Sequence, residues 1–78
     1  MMRYRVVTQD GQEAGAFLAA DDDLAAMRRG LPVRDASVRA SGGALDPDEY
    51  RLEKWVAGAW DFAGRYAFVG TAPTALVA

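Results

Sequence analysis

Residues 2–19 read MRYRVVTQDGQEAGAFLA, and their pattern predicts a β-hairpin from which the other elements follow. Side chains alternate between two faces along the first half, which is typical of a half-buried strand. Asp10 and Gly11 form a strong signal for a two-residue turn, because glycine tolerates the positive φ that such turns need. This turn would place Tyr4 opposite Phe17, and an aromatic pair would then lie on the inner face of the hairpin.

Length and composition limit the class of protein. The chain has 78 residues with no histidine and no cysteine. This length allows one domain. The missing residue types exclude a disulfide scaffold, a thiolate zinc site and catalysis by cysteine or histidine. Nine basic against eleven acidic side chains give a net charge of −2, which argues against a general nucleic-acid binder.

The middle of the chain begins with a helix signal. Residues 21–30 open with three aspartates suited to capping, continue with apolar residues at helical spacing and end with two arginines. Gly30 is expected to stop the helix, and Pro32 to prevent its continuation. Residues 33–41 alternate between small apolar and polar side chains, which predicts a weak edge strand. Residues 42–49 are predicted to form a loop.

Residues 50–69 carry most of the aromatic side chains and allow two interpretations. Asp46 and Pro47 resemble the start of a helix, which would make 50–60 helical. Alternatively, 50–69 is a hairpin that turns at residues 57–58. Trp55 would then lie opposite Trp60, and Lys54 opposite Asp61. We favour the hairpin, because aromatic and β-branched residues prefer strands and the glycines would weaken a helix.

These elements predict an α+β fold. The antiparallel sheet has four to five strands in the order hairpin, helix, strand, hairpin, with one helix packed on one face. Residues 70–78 are predicted to form a tail, for which the sequence allows either a short C-terminal helix or an irregular segment. The tripeptides at 4–6 and 50–52, YRV and YRL, hint that the two hairpins are related.

The aromatic side chains of the second hairpin suggest a function. One helix covers one face of a sheet, so the other face is expected to expose large apolar groups, which are typical of protein interfaces. We therefore predict a small non-catalytic protein-interaction module of the adaptor or inhibitor type. The predicted partner-binding residues are Trp55, Trp60, Phe62, Arg51 and Lys54. The partner is a protein of unknown identity, and a homo-oligomer is expected because so small a core is marginally stable alone.

The alternative is a single-stranded nucleic-acid binder that stacks bases on the same aromatics, which the acidic net charge makes unlikely. No enzyme is predicted, since the sequence has no catalytic motif. No cofactor and no metal are predicted either, because the acidic clusters at 21–23 and 46–49 lack the calcium-loop spacing and suit helix capping.

Location and origin can also be predicted. No apolar run reaches the roughly 20 residues that span a bilayer, so no membrane association is expected. The first five residues, MMRYR, lack the apolar stretch of a signal peptide, and a cytoplasmic location is expected. Eight arginines against one lysine, with many alanines and glycines, are typical of a GC-rich bacterial or phage genome.

Overall fold

The computed structural model describes residues 1–67. It confirms an α+β fold with a four-stranded antiparallel sheet and helical segments packed on it. Residues 68–78, which include the end of the second predicted hairpin and the tail at 70–78, lie outside the described residues. The elements are β1 (Met2–Val7), β2 (Glu13–Ala19), α1 (Asp23–Arg29), α2 (Leu31–Ala40), a 3-10 turn (Pro47–Glu49), β3 (Arg51–Val56) and β4 (Ala59–Arg65).

The sheet has the strand order β2-β1-β3-β4, so the two hairpins meet through β1 and β3. Val6 pairs with Leu52 across this junction. The repeated tripeptides at 4–6 and 50–52 therefore lie on antiparallel neighbours. In both, the tyrosine and the aliphatic residue are buried, and the arginine between them points to the other side of the sheet by strand alternation.

Both hairpins follow the predicted register over positions 2–6 and 53–56, and each departs from it by one residue beyond a bulge. Tyr4 pairs with Phe17, and the two rings stack with centroids 5.8 Å apart. In the second hairpin, Trp55 pairs with Trp60. Its turn at residues 57–58 has positive φ at both positions, 51° and 84°, as a two-residue type I′ turn requires. The hairpin interpretation is therefore confirmed over the helical one.

The first hairpin reaches its predicted register by a different turn. The amide of Thr8 donates to the carbonyl of Gln12 at 2.9 Å, and the amide of Gly11 donates to the carbonyl of Thr8 at 3.0 Å, so the loop has three residues rather than two. Gly11 takes the left-handed position, with φ of 86°. A register shift between Val6 and Val7 compensates for the longer loop, because a bulge adds one residue to β2.

The strand predicted at 33–41 is wrong, because this segment forms helix α2. Pro32 lies in the first turn of α2, where its missing amide hydrogen is not needed. Gly30 is not a left-handed stop: its φ is −78°, and the chain passes through it from α1 into α2. Tertiary packing also favours the helix, since Val33 lies against Gly15 of β2.

Three tyrosines join the sheet to the helices. Tyr4, Tyr50 and Tyr66 are all fully buried, and each hydroxyl donates a hydrogen bond to a group on α1 or α2, which offsets the cost of burying it. The bonds run from Tyr4 to the Asp23 carboxylate at 3.0 Å, from Tyr50 to the Ser37 hydroxyl at 2.7 Å, and from Tyr66 to the Met27 carbonyl at 2.8 Å.

Tyr66 occupies the space that a side chain at position 30 would fill. A Cβ atom on Gly30 would overlap the Tyr66 hydroxyl and lie 2.9 Å from a methyl group of Val6. Glycine is therefore required here by close approach, not by backbone conformation. Burial raises the pKa of Tyr66 to about 12, and the positive charge of Arg34 offsets part of this effect.

The connection after α2 is open. Gly42 and Gly43 have φ of 67° and 85°, both in the left-handed region that favours glycine. Both are exposed, and no other group lies within 4 Å of the position that a Cβ would occupy on either. This loop links the half of the fold containing the first hairpin and both helices to the second hairpin.

Candidate functional site

The two helices pack against one side of the sheet. Gly15 and Gly64, on this side, lie beneath Val33 of α2 and Met27 of α1. We call the opposite side the open face. Its aliphatic and aromatic side chains, placed by strand alternation and cross-strand pairing, are Val7, Ala16, Leu18, Trp55, Trp60 and Phe62. Its charged side chains are Arg3, Arg5, Glu13, Arg51, Glu53 and Arg65.

Three of the predicted site residues, all aromatic, share the open face. Trp55 and Trp60 pack edge to face, with ring centroids 5.1 Å apart and planes at 72°. Trp55 is 41% exposed and Phe62 is 61% exposed, whereas Trp60 is half-buried. The indoles therefore lie on the side of the sheet away from α1 and α2.

Glu53 lies at the centre of the open face, held by two arginines. Arg5 donates to one carboxylate oxygen from Nε at 2.8 Å and from Nη2 at 2.7 Å. Arg51 donates to the other oxygen from Nε at 3.0 Å. Burial would raise the pKa of Glu53, but the hydrogen bonds and charges of Arg51 and Arg5 outweigh it, so the pKa is lowered. The carboxylate is thus ionised and fully compensated.

Arg5 also stacks on an indole. Its guanidinium carbon lies 4.3 Å from the ring centroid of Trp60, a cation–π arrangement. Contacts with Glu53 and Trp60 therefore hold this side chain in one orientation. Sequence reasoning omitted Arg5 and Glu53 from the site, although the matching YRV and YRL tripeptides indicated that Arg5 shares the position of Arg51.

Lys54 does not belong to the open face. Strand alternation directs it to the helix side, where its Nζ lies 3.2 Å from Asp23 and 3.5 Å from Asp21. The hydrogen bond to Asp23 is the main cause that raises the pKa of Lys54. Lys54 therefore lies on the opposite side of the sheet from Trp55 and connects β3 to the start of α1. Arg51, in contrast, lies on the same side as Trp55, Trp60 and Phe62.

Two aspartates of the acidic clusters cap helical turns. Asp22 accepts a hydrogen bond from the Ala25 amide at 3.2 Å and caps α1. Asp46 accepts one from the Asp48 amide at 2.9 Å and caps the 3-10 turn. Across residues 1–67, no group of three histidine, cysteine, aspartate or glutamate residues is arranged to hold a metal ion.

Charge is distributed unevenly between the two sides. The open face carries four arginines against two glutamates, although the chain as a whole has a net charge of −2. The excess of negative charge therefore lies outside this face, in the helices and loops. The charge of the whole chain is a poor guide to the charge of this surface.

One end of the open face contains a small cavity of ≈ 250 Å³. The guanidinium of Arg65 bonds Glu49 at 3.1 Å on its rim, and Arg51 donates from Nη1 to the Thr8 carbonyl at 3.4 Å. This volume is below the roughly 300–1,000 Å³ of small-molecule pockets, so the cavity suits a side chain better than a cofactor. The lining residues are Gln9, Glu49, Arg51, Phe62 and Arg65.

A broader groove of ≈ 660 Å³ runs between β2 and α2. Small residues line most of it, including Ala14, Gly15, Ala36 and Ala40. It follows β2, which is an edge strand of the sheet. Its lining contains no aromatic ring and no arginine, so it differs in chemistry from the open face.

Comparison of the chain with protein-family models, with curated proteins and with solved structures finds no match. The functional argument therefore depends on the geometry and charge of the open face. Within residues 1–67, no helix has the length and apolar character needed to cross a membrane.

Proposed function

We propose that the protein is a non-catalytic interaction module that binds a protein partner through the open face. The observation that carries this proposal is the exposure of Trp55 and Phe62, at 41% and 61%, on a sheet face opposite the helices. Contiguous apolar patches on soluble proteins often mark interaction sites. Tryptophan and arginine, both present on the open face, are also enriched among the residues that dominate binding energy.

The rigidity of the open face supports the same proposal. Its side chains project from paired strands, and Arg5 is fixed between Glu53 and Trp60. Side chains that are already ordered lose less conformational entropy when a partner binds. A face of this kind favours binding of a partner without rearrangement of the fold.

The displaced pKa values of the described residues have structural causes. The pKa values that are displaced belong to Tyr4, Glu53, Lys54 and Tyr66. In each case the cause is burial or a hydrogen bond or ion pair that also stabilises the fold. An active site would instead combine such groups with a nucleophile and a base in one cavity.

A single-stranded nucleic acid is the second candidate partner. The observation that favours it is the presence of arginines beside rings on one sheet face, since bases stack on such platforms. Binding through phosphates would weaken steeply with added salt. A protein interface built on Trp55 and Phe62 would depend much less on salt, so a salt titration separates the two candidates.

Self-association stays a prediction. Two open faces brought together would oppose like charges, because each carries more arginines than glutamates. The unpaired edge of β2 offers a second copy a more favourable route, since strand pairing needs no charge complementarity. Sedimentation equilibrium from micromolar to millimolar protein measures this association directly.

The test of the proposed function uses two matched variants. Phe62 on the open face is 61% exposed and Leu24 on α1 is 59% exposed. Phe62→Ser and Leu24→Ser therefore remove similar amounts of exposed apolar surface from opposite sides. Each variant is cross-linked in the native host beside the unchanged protein, and the cross-linked proteins are quantified by mass spectrometry.

We expect Phe62→Ser to lose at least about tenfold of its specific cross-linked partner, as loss of a binding hot spot of about 1.4 kcal/mol or more predicts. Leu24→Ser should retain that partner. Equal loss in both variants, or loss in Leu24→Ser alone, would contradict binding through the open face. Circular dichroism of both variants verifies that the fold is intact.

A further inference from the structure

We infer that the open face takes an acidic, extended segment of another protein, with a carboxylate of that segment seated between Arg51 and Arg65. The inference rests on the proposed function and adds the chemistry of the partner. Its basis is charge complementarity at a defined place. An apolar patch alone would accept many partners, whereas arginines beside it select for negative charge.

With Glu49 on the cavity rim counted, four arginines face three glutamates on the open face, so one positive charge is left uncompensated. Glu53 is already shared by Arg5 and Arg51, so its single negative charge faces two positive charges. Arg3 has no ion pair among residues 1–67, and Glu13 approaches Arg5 at 3.9 Å. A second copy of the chain would bring the same excess of arginine, so a partner of opposite charge fits this face better.

The cavity at the end of the face provides a place for one carboxylate. Arg51 uses Nε and Nη1 in its bonds to Glu53 and Thr8, and a guanidinium has five N–H donors. Arg65 uses Nη2 in its bond to Glu49. Within residues 1–67, both arginines therefore keep donors for an incoming carboxylate, and Phe62 supplies an apolar wall beside them.

An extended segment matches the spacing of the arginines. Arg5 and Arg51 lie in adjacent cross-strand rows, since Arg5 pairs with Glu53 and Arg51 with Val7. Alternate residues of a strand are roughly 6.5–7 Å apart and project to one side. A partner strand can thus present two carboxylates and an apolar side chain to these rows from alternate positions.

The experiment uses synthetic peptides as probes. The capped peptide Ser-Glu-Ser-Glu-Ser-Phe-Ser presents two glutamates at successive alternate positions, followed by a phenylalanine on the same side, when extended. Two control peptides carry glutamine or lysine in place of both glutamates, and an eight-nucleotide oligothymidine serves as the nucleic-acid probe. Each probe is titrated into the full chain while the indole N–H signals of Trp55 and Trp60 are followed by NMR.

We expect the glutamate peptide to bind about threefold to tenfold more tightly than the glutamine peptide, as two exposed charge pairs predict. Arg65→Gln should remove most of this preference. Glu49→Gln, which removes a competing carboxylate from the cavity rim, should increase it. Arg39→Gln on α2 makes the same change of charge at an exposed position of the helix side and should leave the preference unchanged.

The outcomes separate this inference from the proposed function. Equal binding of the glutamate and glutamine peptides, with shifts at the indoles, overturns the acidic preference and leaves the interaction face intact. Tighter binding of oligothymidine than of the glutamate peptide overturns it in favour of a nucleic acid. If no peptide shifts the indole signals, the inference of an acidic segment fails, and the cross-linking of Phe62→Ser and Leu24→Ser decides the proposed function separately.

Discussion

On the helix side of the sheet, all three tyrosines are buried and each donates a hydrogen bond to a helix. On the open face, Trp55 and Phe62 remain exposed although they are the more apolar kinds of ring. Hydrophobicity alone would place the tryptophan and phenylalanine inside. The distribution therefore follows the available bonding partners and the number of layers, not the hydrophobic scale.

The difference has a simple physical origin. Two layers, one of strands and one of helices, enclose a single core between them. A hydroxyl group allows a tyrosine in this core to bond to a helix, so Tyr4, Tyr50 and Tyr66 fix the position of the helices as well as filling space. Indoles at alternate strand positions face away from that core and are left for contacts with another molecule.

The largest expected effect comes from a substitution at Gly30, where the packing on the helix side is tightest. Gly30→Ala places a methyl group against the Tyr66 hydroxyl and Val6, and we expect the free energy of unfolding to fall by about 3 kcal/mol or more. Urea denaturation measures the change. The double variant with Tyr66→Phe removes the clashing hydroxyl and should be less destabilised than the sum of the two single changes. Strict additivity would contradict the proposed clash.

Alkaline pH should weaken the helix side. Burial raises the pKa of Tyr66 to about 12 from 10.0, so the folded state favours the neutral phenol. The stabilisation is complete below pH 10 and is lost as the pH rises towards 12, by roughly 2 kcal/mol. Urea titrations between pH 8 and pH 11 should show the first part of this decline, about 1.4 kcal/mol, in the unchanged protein and a smaller one in Tyr66→Phe. Identical declines would exclude Tyr66 as its source.

Removing a single hydroxyl should matter more on the helix side than removing a whole ring on the open face. We expect Tyr50→Phe to lower the free energy of unfolding by about 1 kcal/mol, because the Ser37 hydroxyl loses its donor. Phe62→Ser should stay within about 0.5 kcal/mol, since Phe62 is largely exposed. A larger loss in Phe62→Ser would mean that the open face contributes to the core.

The smallest expected effect is a loss of folding stability at acidic pH. Hydrogen bonds and charges from Arg51 and Arg5 outweigh burial and lower the pKa of Glu53 below its ordinary value of 4.5. The ionised form is favoured in the folded state, so its stabilisation is present above pH 4.5 and is lost as the pH falls. We expect a loss of less than about 1 kcal/mol. Glu53→Gln should show a flatter decline between pH 6 and pH 3 when both proteins are unfolded in urea.

The hairpins were predictable because their signals are local. Positive-φ residues at the turns and alternation along the strands determine which positions pair, as Tyr4 with Phe17 and Trp55 with Trp60. Even there, the first loop is one residue longer than expected, and a bulge that the sequence does not mark corrects the register. Local patterns thus predicted pairing better than they predicted turn geometry.

The segment at 33–41 and the position of Lys54 show where local patterns fail. Small side chains such as Ala36 and Ala40 satisfy strand alternation and helical packing equally well, and the contact between Val33 and Gly15 favours the helix. Lys54 was assigned to the site because it neighbours Trp55 in sequence. Strand alternation places the two side chains on opposite sides of the sheet. The bond from Tyr66 to Met27 joins residues 39 positions apart, and no local signal predicts it.

The open connection at Gly42 and Gly43 divides the chain into two halves that meet through β1 and β3. Both glycines are exposed and hydrogen-bond locally, to the Arg39 and Val38 carbonyls of α2, so covalent continuity at this point contributes little to the contact between the two halves. We expect both hairpins to stay folded when a second domain is inserted there. Two separately expressed halves, each fused to a reporter fragment, should reassemble along the β1–β3 junction, so this loop is the natural place at which to engineer the molecule.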